Sequence, residues 1–207
     1  MPVRTRLSAL VLVAASAAVA GLVGCNDARP AAKAKPEASP QPEIPSTLTV
    51  MRADLVSPHQ VQGPLAEPTR GQVLDVLQRV FAATMTGPLI RGTAGDIRDL
   101  FTPDAGAQAL GQDRATVFDD GMPTARTLQV DRAEVRLTGL ANEVNQPGMV
   151  VAQLRWEVVG ADGVVRIVRG GELSLVPRDG RWVVAGYTLT VARSVAEVTT
   201  TTSATSR

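Results

Sequence analysis

Cysteine and histidine each occur once in these 207 residues, as Cys25 and His59. One cysteine excludes an internal disulfide and any cysteine-cluster metal site. One histidine excludes His-rich metal sites and a His-based triad in the later part of the chain. Aromatic residues make up only 3% of the chain, against 44% hydrophobic residues in all, so a core has to be built mostly from Val, Leu and Ala. That hydrophobic share suffices for a core and is too high for a wholly disordered chain. An excess of one charge is also missing: 21 basic and 20 acidic residues leave +1, and without Arg4 and Arg6 the balance becomes −1. Such a chain lacks the electrostatic footprint of a nucleic-acid binder, and no nucleic-acid partner is expected. No phosphate-binding glycine loop, G-x-S-x-G elbow or HExxH motif occurs. No cofactor and no metal are expected. The length suits one ordinary domain with flanking segments.

What is present begins with an address. Arg4 and Arg6 precede Leu7 to Ala20, an uncharged apolar run of fourteen residues. That fits the h-region of a secretory signal and is short for a membrane span, which needs about 20 residues. The run ends in Leu22-Val23-Gly24-Cys25, which resembles the bacterial lipobox: a branched residue, two small or modest residues, then Cys. The resemblance implies that residues 1–24 are a lipoprotein signal peptide. It also implies that the Cys25 thiol receives a diacylglycerol, and that cleavage makes Cys25 the new N-terminus. Two acyl chains, of the palmitate kind, anchor stably where one is marginal. An ordinary secreted protein with a stray cysteine, or an uncleaved anchor helix, is the competing reading. After acylation no free thiol remains, which suits an oxidising exterior.

Residues 25–66 read as the lipidated cysteine and a disordered tether. Asn26 to Ser46 is rich in Pro and Ala and holds the only lysines, Lys33 and Lys35; eight of the 14 prolines lie between Pro30 and Pro68. Such a segment buries too little apolar surface to offset the entropy of ordering. Its 21 residues reach roughly 65 Å if polyproline-like and about 25 Å as a coil. Thr47 to Met51 alternates at Leu48 and Val50, and reads either as a short edge strand or as more linker. His59, in this transitional stretch, is best explained as a loop residue. Residues 194–207 read as a Thr/Ser-rich flexible tail, where O-glycosylation is an open alternative.

The folded domain is expected over 67–193, helices first. Thr69-x-x-Gln72 has the form of a capping box, and Val73, Val76, Leu77, Val80 and Phe81 follow at helical spacing. Gly87-Pro88 is the expected stop. A second helix is expected from Thr93, with Ile97, Leu100 and Phe101 on one side. A third starts at Thr102-Pro103-Asp104, with Ala107 and Leu110 facing inward. Asp113 to Phe118 adds another turn before Asp119-Asp120-Gly121-Met122-Pro123 breaks the pattern.

Strands come after. Leu128 and Val130, then Ala133, Val135 and Leu137, alternate with a change of parity near Asp131-Arg132 that calls for a bulge. Val150, Ala152, Leu154, Trp156 and Val158 form one face of the next strand, and Asp162-Gly163 marks a hairpin turn. Val165, Ile167, Leu173 and Leu175 follow, interrupted by Arg169 and Gly170-Gly171, where a bend is expected. The last strand presents Val183, Ala185, Tyr187, Leu189 and Val191, with Trp182, Thr188 and Thr190 on its other face. The expected fold class is α+β: N-terminal helices packed on a bent four-stranded antiparallel sheet.

An initial helical section followed by a bent sheet that closes on Gly180-Arg181-Trp182-Val183-Val184-Ala185-Gly186-Tyr187 resembles the NTF2-like (cystatin-like cone) superfamily, over Glu67 to Arg193. Membrane-tethered versions, such as the Mce-associated proteins of actinobacteria, are similar in layout, and few lysines beside many arginines suit a high-GC bacterium. The resemblance implies a curled sheet that can leave a pocket, with Trp156 and Tyr187 as its candidate lining. Enzymatic members, such as those resembling ketosteroid isomerase, place Asp, His and Tyr there. Here no histidine follows His59, and no carboxylate stands out as the partner of Tyr187. Asp119-Asp120-Gly121 reads as a solvated turn, since it lacks the further oxygen ligands of a calcium loop. Arg155 and Arg169 become interior charges if the register slips by one.

The expectation is therefore a non-catalytic binding or assembly module, lipid-anchored on the outer face of the cytoplasmic membrane and contacting another envelope protein through its sheet. A carrier or sensor of a small apolar ligand is the alternative, and an isomerase-like or cyclase-like enzyme the third.

Overall fold

The computed structural model describes residues 48–57 and 60–196. The segment expected to be a signal peptide, Leu22, Val23, Gly24 and Cys25, most of the expected tether, His59 and the residues from Glu197 onward lie outside the described residues.

The architecture corrects the expected four-stranded α+β layout with its NTF2-like cone. It is a six-stranded mixed sheet, in the order β2-β1-β3-β4-β5-β6. Two strands precede the helices, β1 (Thr49–Ser57) and β2 (Gln60–Pro64). Four follow them: β3 (Leu128–Ala141), β4 (Pro147–Gly160), β5 (Val165–Arg178) and β6 (Arg181–Val195). The β3–β6 strands form an antiparallel meander at the positions their alternation indicates. β1 lies parallel to β3 and antiparallel to β2. Residues 49–64, assigned above to the tether, are thus part of the sheet. Pro58, Gly63 and Pro64 hide the period-2 alternation there, and a parallel pairing across most of the helical section leaves no local sign.

The helical layer begins two residues before the expected capping box. α1 (Glu67–Phe81) has Ala66 at its N-cap with no side-chain cap, and Pro68 in its first turn. Proline's fixed φ and missing N–H suit that position, so the helix starts there and Thr69 is absorbed into it. Val73, Val76, Leu77, Val80 and Phe81 are buried, as their spacing requires. Gly87-Pro88 does not end the helix. A π turn (Ala82–Thr86) leads into α2 (Gly87–Arg91), which stops at Gly92 with φ 73°. The wider turn lets Gly87 N–H reach back to the Ala82 carbonyl, and Pro88 has no N–H to donate to the carbonyl four residues back. Two carbonyls are thereby freed. Ala83 O accepts Gly95 N–H at 2.8 Å, and Thr84 O accepts Asp119 N–H at 3.0 Å. Gly95 is required for that approach, because a Cβ there would stand 2.8 Å from Ala83 Cα.

The 25-residue stretch Glu67–Arg91 is long and apolar enough to cross a membrane by length and composition. Its apolar residues lie in the core, however, so here it serves as the central helix. The helix expected from Thr93 is only a turn, although Ile97, Leu100 and Phe101 are buried as anticipated. α3 (Pro103–Leu110) does start after Thr102, but buries Ala105, Gly106 and Ala109; Leu110 is 44% exposed. α4 (Arg114–Val117) is a single turn.

Trp156 is fully buried and meets Phe81 edge-on, ring centroids 4.8 Å apart, which joins sheet to helix. The β3 bulge falls between Val130 and Arg132, where parity demands it. An irregularity between β5 and β6 was not expected: Ser174 pairs with Gly186 but Leu175 with Val184, leaving Ala185 as the extra residue. It moves Trp182 to the helix-facing side, where it is 6% exposed and lies beside Gln72 and Val76 of α1. Gly171 has φ 139°, and a Cβ there would sit 2.1 Å from Thr188 O, so the bend accepts only glycine.

Candidate functional site

The inner face of β5 presents Val165, Ile167, Arg169, Gly171, Leu173 and Leu175 in alternation. Arg169 is therefore an interior charge with the register intact. Its side chain is 1% exposed and stands in register between Trp156 of β4 and Val191 of β6. A guanidinium there needs a carboxylate, because an unpaired buried charge is costly. Asp119 supplies it, with a fully enclosed side chain whose Oδ2 accepts from Arg169 Nη2 at 2.6 Å. Asp119 thus departs from the expected solvated turn.

The cluster extends on both sides. Arg169 Nη1 donates to Thr84 Oγ1 at 3.1 Å, and that hydroxyl donates to Val80 O at 2.8 Å. From β6, Arg193 Nε donates to Asp119 Oδ1 at 2.7 Å and Nη2 donates to Phe118 O at 2.9 Å. Both oxygens of Asp119 are thus occupied, while Arg169 Nε stays buried without a partner. Burial pushes the Asp119 carboxyl up, against the pull of Arg169 and Arg193. Burial likewise lowers the Arg169 guanidinium, against the pull of Asp119. The π turn is what brings these groups together, since the Thr84 carbonyl it frees holds the Asp119 backbone. A turn of this type inside a helix often marks a functional position. The signal in the sequence was an arginine on an inward parity, which asks for an acid elsewhere.

Beside the cluster lies a cleft of about 500 Å3. Ala115, Phe118 and Met122 supply apolar wall, Asp119 and Arg193 lie at its buried side, and Arg114 and Asp120 pair at its rim. The Arg114 guanidinium sits 5.2 Å from the Phe118 ring centre, within cation–π range.

The two residues proposed to line a pocket are placed apart from this cleft. Trp156 is 1% exposed in the core, and its Nε1 has no partner. Tyr187 is part-buried on β6, edge-on to Phe101, with ring centroids 6.2 Å apart. Its hydroxyl donates to Asp113 Oδ2 at 2.9 Å, and Gln108 Nε2 donates to the same oxygen at 2.7 Å. Desolvation, then the Asp113 carboxylate, raise the Tyr187 hydroxyl above its usual range. Arg155 is exposed on the outer face, as its parity requires. Among the described residues no group of three His, Cys, Asp or Glu could hold a metal ion. No family model, no curated protein and no solved structure matches the chain.

Proposed function

We propose that the chain is an extracytoplasmic lipoprotein, anchored through acylated Cys25 on the outer face of the cytoplasmic membrane, whose domain is a non-catalytic binding or assembly module of the cell envelope. The observation that carries this reading is the single cysteine, set at the end of an apolar run behind Arg4 and Arg6 in the order Leu22-Val23-Gly24-Cys25. The Pro/Ala-rich residues that follow suit a spacer between bilayer and domain. The outer sheet face suits a polar protein partner, because it presents charged and polar side chains such as Arg136, Gln153 and Arg155 around a shallow depression.

The non-catalytic part of the reading rests on how the ionisable groups are used. Both Asp119 oxygens are bonded to arginines, and Tyr187 is bonded to Asp113. A general acid or base needs a face turned to substrate. These groups are turned to one another.

Cys25→Ala tests the anchor. The expected result is an unprocessed precursor, or release of the protein from membranes, in a fractionation with metabolic palmitate labelling. Unchanged processing and membrane retention by the variant would overturn lipidation. Crosslinking in intact membranes followed by recovery of the acylated protein tests the partner: a specific adduct through the outer sheet face is expected, and none would sink the assembly reading.

A further inference from the structure

We propose that the cleft between α4, the Phe118–Met122 loop and β6 is a binding site for a small amphiphile with one carboxylate and an apolar body, its head group on Arg193 and its body against Ala115, Phe118 and Met122. The inference goes beyond anchoring and assembly, and it holds whether or not Cys25 is acylated.

The charge arithmetic of the site carries it. Three guanidinium groups, Arg114, Arg169 and Arg193, face two carboxylates, Asp119 and Asp120. Arg114 and Asp120 neutralise each other at the rim. Asp119 alone is shared by Arg169 and Arg193. One positive charge is left over, and it cannot be met from below, because Arg169 is enclosed. Asp113 follows the lining residue Gln112 but turns its carboxylate to Tyr187 and Gln108. The surplus therefore rests on Arg193. That side chain is 25% exposed into the cleft, and its Nη1 has no partner among the described residues. A guanidinium held in place by two existing bonds, with a donor spare, is pre-organised for a carboxylate.

The walls decide the rest of the ligand. Ala115 and Met122 make part of the wall apolar, and a cleft of about 500 Å3 lies in the range that holds small molecules. A bare inorganic anion would leave Ala115 and Met122 wet. A neutral apolar molecule would leave the Arg193 charge unmet. Only a molecule with both parts answers both surfaces.

Methionine methyl NMR on the full chain in lipid nanodiscs tests this without knowledge of the natural ligand. The probe is 1-naphthaleneacetate, with 1-naphthaleneacetamide as its neutral analogue. Met122 lines the cleft, Met85 is buried in the core, and Met51 and Met149 lie elsewhere on the molecule. The expected result is a saturable shift of Met122 alone with the carboxylate, at least tenfold weaker with the amide and in Arg193→Gln. Ala115→Trp fills the cleft from an exposed position and leaves the charge cluster untouched; it should abolish the Met122 shift while Met85 keeps its resonance. Equal binding of acid and amide would overturn the head-group assignment. A Met122 signal that stays still, or moves only with Met51 and Met149 without saturating, would overturn the site. So would an Ala115→Trp protein that binds as well as the parent.

Discussion

Trp156 and Arg169 are cross-strand neighbours on the same face of the sheet, and they fasten the helical layer by opposite means. Trp156 packs its indole against Phe81, a contact that tolerates small shifts because dispersion and burial are not directional. Arg169 reaches the same helical layer through two bonds, to Thr84 and Asp119, that fix distance and angle. The first supplies net stability. The second contributes little beyond what an apolar pair of equal volume would, since desolvating two charges offsets most of their attraction. What it adds is position: it holds the Asp119 loop, and with it the cleft, in one place.

Three experiments sharpen that contrast, and the largest effect belongs to the ionic side. Asp119→Leu strands two guanidinium groups, one of them fully buried, and should destabilise the domain by about 3–5 kcal/mol in urea denaturation. Adding Arg169→Met removes the stranded charge and should restore most of the loss. A double variant as unstable as the single would break the comparison, because the pair would then be contributing through its contacts and not merely avoiding an unpaired charge.

Trp156→Ala should cost about 3–5 kcal/mol. It falls toward the lower part of that range because the unpartnered Nε1 is removed together with the indole. A loss below about 1 kcal/mol would show that the apolar contact is not the anchor. The smallest effect is expected at Tyr187→Phe, which deletes one hydrogen bond to Asp113 at the half-exposed margin and should cost about 1 kcal/mol in the same assay. A value near that of Trp156 would mean that the polar margin holds the fold as firmly as the centre does.

The same contrast explains what could be read in advance. The register of β4 was legible because Val150 through Val158 alternate without exception, and the β3 bulge because a parity change has one simple remedy. Arg169 sat on the correct parity but looked like an interruption, since alternation scores hydrophobicity and says nothing about a distant acid. Asp119 in turn looked solvated because Asp-Asp-Gly is ordinary turn composition. Beyond the edge-strand alternative at Thr47 to Met51, β1 and β2 escaped because their segment carries prolines and a positive-φ glycine, and because the β1–β3 pairing is long-range. The Ala185 irregularity, which turns Trp182 inward, left no mark in a strand where both parities are apolar at Trp182, Val183 and Val184. The lipidation proposed at Cys25 rests on the order Leu22-Val23-Gly24-Cys25 alone, which lies outside the described residues.

The π turn has a consequence for how the domain opens. In giving up two of its internal bonds, the central helix takes hold of two separate chain segments, one by Gly95 and one by Asp119. Neither segment can leave its place while those carbonyls keep their grip, and the helix cannot unwind locally without releasing both. Helix, turn and loop thus form one cooperative unit, so the ligand-facing loop inherits the rigidity of the most deeply enclosed element in the protein.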